Sequence, residues 1–173
     1  MPFLTVCPLS QVTATVAATG AGYLISLINS DTPVPRPEAI AERHHLFLGM
    51  NDIVEPQDGM TPPGEEHVQN LLAFVDQWDR SRSMVVHCYA GISRSTAAAF
   101  IAVCAARPDR SETEIAQRLR AASPTATPNA RLVAIADDLL NRGGRMTAAV
   151  AAIGRGEFAM EGTPFRLELE QRE

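Results

Sequence analysis

The chain contains no lysine; all 15 of its basic residues are arginines, against 20 aspartates and glutamates, for a net charge of -5. An acidic protein without a lysine-rich face carries the wrong sign for a nucleic-acid footprint, so no nucleic-acid partner is expected. Coding in a G+C-rich genome suffices to explain arginine in place of lysine. It still means that any bound anion must be held by arginine, hydroxyls or backbone N–H groups. Cysteine is scarce. Cys7, Cys88 and Cys104 are odd in number and have no metal-ligand spacing, so neither a disulfide framework nor a metal site is expected, and reduced, intracellular chemistry is. No apolar run reaches membrane-spanning length, and the start M-P-F-L-T-V-C-P lacks the basic-then-apolar pattern of a secretory signal. A soluble cytoplasmic protein with no membrane association follows as the expectation. Internal repeats and low-complexity linkers are also missing. With 173 residues, 46% of them hydrophobic, the chain reads as one domain, 1–173, carrying a C-terminal extension over 154–173.

Strand and helix signals alternate along the chain. Phe3 to Val6 is a short apolar run, after which Ser10 could cap a helix from about Gln11 to Thr19, ended by Gly20 and Gly22. Tyr23 to Ile28 (Y-L-I-S-L-I) and His45 to Leu48 are further β-like runs. A long proline-containing loop follows from Gly49 to Gly64, and a loop of that length in a compact domain usually has a function. Val68, Leu71, Leu72, Val75 and Trp78 recur at helical spacing, so Glu65 to Trp78 is expected as an amphipathic helix. Met84 to Val86 reads as a buried strand and Thr96 to Ala106 as an Ala-rich helix. Ser111 with Glu114 marks a capped helix through about Ala121, and further helices are expected over Pro128 to Leu140 and Met146 to Ile153. The tail Phe165 to Leu169 alternates like an edge strand. This order predicts an α/β fold, with a central, mostly parallel sheet of four to five strands flanked by helices.

The segment V-H-C-Y-A-G-I-S-R-S-T, Val86 to Thr96, concentrates the chemistry. A buried strand ends there, a turn passes through Gly91, and a helix starts at Arg94-Ser95, so the turn's N–H groups and the helix N-terminus converge on one point that attracts anions. Cys88 sits at that point, where such a field favours the thiolate. Arg94, six residues on, can offer a planar fork of donors to two phosphate oxygens. By contrast, Cys7 and Cys104 read as small core hydrophobes.

The pattern H-C-x-x-G-x-x-R-S is similar to the signature of the protein tyrosine phosphatase superfamily. With Asn51-Asp52-Ile53 upstream and S-P-T-A-T-P-N downstream, it most resembles the small dual-specificity branch and a bacterial group of predicted tyrosine phosphatases. The resemblance covers roughly Phe3 to Arg142. It implies a phosphoric monoester hydrolase in which Cys88 attacks phosphorus to form a cysteinyl-phosphate. Arg94 and the N–H groups of Tyr89, Ala90, Gly91, Ile92, Ser93 and Arg94 itself would hold the phosphate oxygens. Ser95 would assist the sulfur as leaving group, and His87 would order the loop. The general acid is implied on the long loop, where Asp52, Glu55 and Asp58 are available. Asp52 stands where the dual-specificity branch places its acid, and Asp58 is the alternative. Asn129 either braces the phosphate loop, as a similar asparagine does in that branch, or simply opens a helix after Pro128. No cofactor or metal is implied. The uncharged loop positions Tyr89, Ala90, Ile92 and Ser93 suit a single phosphomonoester, so the implied partner is a phosphorylated protein, foremost one bearing phosphotyrosine, or a small phosphate ester. A rhodanese-like or arsenate-reductase-type thiol enzyme and a non-catalytic phosphate-binding pseudophosphatase are the alternatives. The sequence carries no sign of oligomeric state.

Overall fold

The computed structural model describes residues 1–170; residues 171–173, the end of the predicted 154–173 extension, lie outside the described part. Among the described residues five strands and six α-helices follow in the order β1 (Phe3–Pro8), α1 (Val12–Thr19), β2 (Tyr23–Ile28), β3 (His45–Gly49), α2 (Glu65–Gln77), β4 (Met84–Cys88), α3 (Arg94–Ala106), α4 (Glu112–Ala122), α5 (Ala130–Leu139), α6 (Arg145–Ile153) and β5 (Phe165–Glu168). The sheet order is β3-β2-β4-β1-β5. The first four strands run parallel, and β5 adds to the β1 edge antiparallel. β2 has no apolar-polar alternation because it is internal to the sheet, and all six of its residues are buried.

One difference from the sequence reading concerns Ser10. It does not cap α1; it lies in a 3-10 turn, Leu9–Gln11, and its hydroxyl donates to the Glu161 carboxylate in the C-terminal segment. The cap expected at Ser111 is present, accepting from the Glu114 N–H at 3.1 Å. α3 starts at Arg94, where the turn pattern places a helix start, and β4 runs on past Val86 to Cys88.

α3 is the central helix. Ala97, Ala98, Ala99 and Ala102 are fully buried, and their methyl groups let it pack closely against α2, α4, α5 and the sheet. A helix apolar on every face is a buried helix, and complete burial of Phe100 and Ile101 contributes roughly 1.5–3 kcal/mol each. The helices beyond it are tied by polar contacts: the α4 carboxylate Glu112 accepts from Arg142 at 3.0 Å, and Arg142 also donates to the Cys104 carbonyl. No helix among the described residues is long and apolar enough to cross a membrane.

Candidate active site

In an open parallel sheet, the crevice outside the carboxyl ends of the strands is where loops from several strands meet. Here those ends deliver Pro8 from β1, Asn29 after β2, Met50 to Asp52 after β3, and Cys88 from β4. The Cys88–Ser95 turn lies among them, at the N-terminus of α3. Gly91 lets the turn seat this deep. Its φ is +72°, and a Cβ would come within 2.9 Å of the Cys7 carbonyl carbon and the Pro8 nitrogen.

The turn's carbonyls are held from outside. The Cys88 carbonyl accepts from His87 Nδ1 at 3.0 Å, and the Tyr89 carbonyl from the Leu9 N–H at 3.1 Å. The Ala90 carbonyl accepts from the Gly162 N–H at 2.8 Å, the Ile92 carbonyl from the Thr127 N–H at 2.9 Å, and the Ser93 carbonyl from the Asn129 N–H at 3.2 Å. In a trans peptide the carbonyl and the N–H point in opposite directions, and all peptides here are trans. Carbonyls anchored outward therefore turn the following N–H groups inward, which builds an anion cradle from backbone alone. At its base the Gly91 N–H donates to Cys88 Sγ at 3.3 Å, and Ser95 Oγ lies 3.1 Å from the same sulfur.

Arg94 closes the cradle. Its Nη1 donates to Asn29 Oδ1 at 2.9 Å and to the Met50 carbonyl at 2.7 Å, fixing one edge of the guanidinium. The residue is only 7% exposed, and its Nε is buried with no hydrogen-bond partner among the described residues. A buried, charged donor left unpartnered is costly, and an oxyanion is the partner that fits a planar fork.

Asp52 stands across the turn. Its Oδ1 accepts from Ser93 Oγ at 2.7 Å and from Asn129 Nδ2 at 2.8 Å. Asn29, Asp52, Ile53, Met60, Tyr89 and Arg94 are among the residues lining one cleft of about 380 Å³. Asp58 is exposed and does not line it, and Glu55 is likewise exposed. Asn129 makes three kinds of contact through different atoms. Its Oδ1 accepts from the Leu132 N–H and caps α5, its backbone braces the turn, and its amide grips Asp52 rather than the phosphate loop.

His87 sits behind the turn as a supporting group, out of reach of the anion cradle. It is fully buried behind the turn, with Nδ1 on the Cys88 carbonyl and Nε2 2.6 Å from Ser26 Oγ; His45 Nε2 lies 2.8 Å from that same hydroxyl. Burial lowers its pKa to about 4, so the ring is neutral at pH 7. Nδ1–H then donates to the Cys88 carbonyl, and Nε2 accepts from the Ser26 hydroxyl. Burial pushes the Cys7 thiol up to about 11 and Cys104 to about 12, which leaves both inert at neutral pH. Tyr89 is exposed at the rim; the other turn residues, Ala90, Ile92 and Ser93, are half-buried.

Sequence reasoning missed Asn29, Ser26 and the contribution of Gly162. Asn29 also forms a turn, its carbonyl accepting from the Thr32 N–H at 2.9 Å, so its residue type alone gives no sign of a role at the site. A glycine offering its N–H has no residue signature. Among the described residues there is no cluster of His, Cys, Asp and Glu fit to hold a metal.

Comparison with known proteins bears on the fold and on the segment that contains the turn. The sequence model of the protein-tyrosine phosphatase family matches residues 53–126, which includes Cys88 to Ser95 and stops short of Asp52 and Asn129. No curated protein sequence matches the chain. Among solved structures, human DUSP28 shares 19% identity over 80% of this chain and 94% of its own, with a TM-score of 0.61. A mouse dual specificity phosphatase complexed with zinc tungstate shares 22% identity over 84% of this chain and 86% of its own, with a TM-score of 0.59. The human tyrosine phosphatase-like serine/threonine/tyrosine-interacting protein shares 15% over 82% and 97%, at 0.61. At such identities these likenesses establish the fold, and the family match adds the signature turn. The chain therefore carries a protein-tyrosine phosphatase match over residues 53–126 and shares the α/β fold of the dual-specificity phosphatases.

Proposed function

We propose that this protein is a phosphatase that hydrolyses phosphomonoesters, foremost phosphotyrosine in proteins, through a cysteinyl-phosphate on Cys88. The observation that carries the reading is the half-anchored guanidinium: Arg94 is fixed at Nη1 and unpartnered at a buried Nε, beside a sulfur that already accepts the Gly91 N–H. In the first step the Cys88 thiolate attacks phosphorus and the P–O ester bond breaks, while Asp52 gives its proton to the departing oxygen. Arg94 and the inward N–H groups hold the equatorial oxygens as charge builds on them. In the second step water attacks the phosphocysteine and loses its proton to the Asp52 carboxylate. The P–S bond then breaks, the Ser95 hydroxyl donates to the leaving thiolate, and inorganic phosphate departs.

Two observations support Asp52 over Asp58: it lines the cleft with Arg94, and Ser93 ties it to the phosphate turn. Ile53, Met60 and Tyr89 supply apolar walls suited to an aromatic ring above a single phosphate. None of the turn's variable positions carries the extra charge a polyphosphorylated substrate would call for. A nucleophilic thiol needs a reducing compartment, which supports action in the cytoplasm.

The test is p-nitrophenyl phosphate turnover by wild type, Cys88→Ser, Asp52→Asn and Asp58→Asn. Activity should vanish in Cys88→Ser. Asp52→Asn should lose the basic limb of the pH–rate profile yet still form the phosphoenzyme, with Asp58→Asn unchanged. Equal rates for wild type and Cys88→Ser would refute an enzyme of this kind. Sulfur transfer from thiosulfate without phosphatase turnover would favour a rhodanese-like one. A phosphopeptide panel captured on Cys88→Ser then reads the preference for phosphotyrosine.

A further inference from the structure

Residues 154–164 link α6 to β5 and lie outside the family match at 53–126. They cross the face of the molecule next to the phosphate turn, in a run of specific contacts. The Gly156 N–H donates to Thr127 Oγ1 at 3.0 Å and the Glu157 N–H to the Pro124 carbonyl at 2.9 Å. The Glu161 carboxylate then accepts from Ser10, and the Gly162 N–H donates to the Ala90 carbonyl at 2.8 Å. Beyond it β5 pairs with β1, so the strap is anchored on both sides of the turn.

The contact at Ala90 has a chemical consequence. The Ala90–Gly91 peptide is the unit whose N–H reaches Cys88 Sγ. Gly91, at φ +72°, is the residue of the turn least constrained by its own side chain, and a peptide next to glycine can rotate about its flanking bonds at little steric cost. Rotated by half a turn, this one would present a carbonyl to the incoming phosphate instead of a donor. The Gly162 N–H opposes that rotation by holding the carbonyl outward. Gly162 must itself be small to reach it, because a Cβ there would come within 2.9 Å of the Gly91 oxygen.

We propose that the 154–164 strap is a positioning element of the phosphate turn. The Gly162 N–H locks the Ala90–Gly91 peptide so that the Gly91 N–H faces the sulfur and the bound oxyanion. The inference rests on the reading of Cys88–Ser95 as the phosphate cradle, and adds to it a residue distant in sequence.

The test uses the full chain as wild type, Gly162→Ala, Ser10→Ala and Phe158→Ala. Three readouts are p-nitrophenyl phosphate kcat/KM, inhibition by tungstate as a phosphate mimic, and the rate of Cys88 alkylation by iodoacetate at neutral pH; a thermal melt accompanies each variant. Loss of a single oriented donor in such cradles costs about 10²–10³ in rate, so an indirect loss through Gly162→Ala should cost roughly tenfold to a hundredfold in kcat/KM. Tungstate inhibition should weaken by a similar factor and alkylation should slow. Ser10→Ala, which frees Glu161 at an exposed contact, should shift all three in the same direction by less, and it carries the test if Gly162→Ala fails to fold. Phe158 is 87% exposed on the same strap, and its replacement should change nothing. A folded Gly162→Ala with wild-type kcat/KM and tungstate inhibition overturns this inference and leaves the phosphatase reading standing. So does a loss in Phe158→Ala equal to that in Gly162→Ala. A wild type that neither turns over substrate nor binds tungstate overturns both.

Discussion

Replacing Asn29 by alanine isolates how far Arg94 depends on its anchor. Nη1 of Arg94 has two acceptors, Asn29 Oδ1 at 2.9 Å and the Met50 carbonyl at 2.7 Å, and the arginine is buried. The alanine variant removes the first and leaves the second. A hydrogen bond to a charged group contributes about 1.5–3 kcal/mol when its loss leaves the charge buried. Much of that should appear in the transition state, because a guanidinium free to swing about a single remaining contact presents its fork less often in register with the equatorial oxygens. The expected fall in kcat/KM is therefore roughly tenfold to 150-fold. Steady-state p-nitrophenyl phosphate kinetics with parallel tungstate inhibition is the assay, and both should weaken together. Asn29→Asp separates geometry from charge. It keeps an acceptor at the same place and holds Arg94 more firmly, but it puts a negative charge beside the anion site, so tungstate should bind less well although the melting temperature does not fall. If Asn29→Ala is folded and loses less than about threefold in kcat/KM, the assignment of Asn29 as the anchor of Arg94 is refuted, since so small a loss lies well under the hydrogen-bond range.

The remaining expectations concern stability. His87 has its pKa lowered by burial to about 4, below the 6.5 of an exposed imidazole. Between those values the unfolded chain takes up a proton that the folded protein refuses, so this contribution is complete above about pH 6.5 and is lost as pH falls toward 4. Urea unfolding should give a stability about 2 kcal/mol lower near pH 5 than near pH 7.5 from this group, and the difference should shrink by that amount in His87→Asn. Asp137 is 3% exposed and its carboxylate accepts from the N–H groups of Gly144, Met146 and Thr147 at 2.7, 2.7 and 3.2 Å, capping α6. Asp137→Ala should cost about 2–3 kcal/mol, read as a drop of roughly 5–10 °C in melting temperature, with kcat/KM of the folded protein at room temperature unchanged.

Much of this site is legible in the sequence because its core is local. The nucleophile candidate, the glycine, the arginine and the serine fall between Cys88 and Ser95, and a strand leading directly into a helix dictates how their backbone must turn. The Ser10 cap fails for the opposite reason. Serine before a helical pattern is a sound local signal, yet here Glu161, distant in sequence, competes for the hydroxyl. His87 shows a third case: the resemblance implies that it orders the loop, but its partner Ser26 is visible only once β4 packs between β1 and β2.

The sequence by itself determined the order of strands and helices, the absence of lysine that leaves phosphate recognition to arginine and backbone, and the composition of the signature turn, since each depends on neighbours within a few residues. Tertiary structure alone decided which groups hold that turn open. The donors on its carbonyls come from Leu9, Thr127, Asn129 and Gly162, and the anchor of Arg94 comes from Asn29 and the Met50 carbonyl. Most of these are backbone groups, which every residue but proline possesses in the same form. What selects them is position in space, and position is set by how the parallel strands bring their carboxyl ends together.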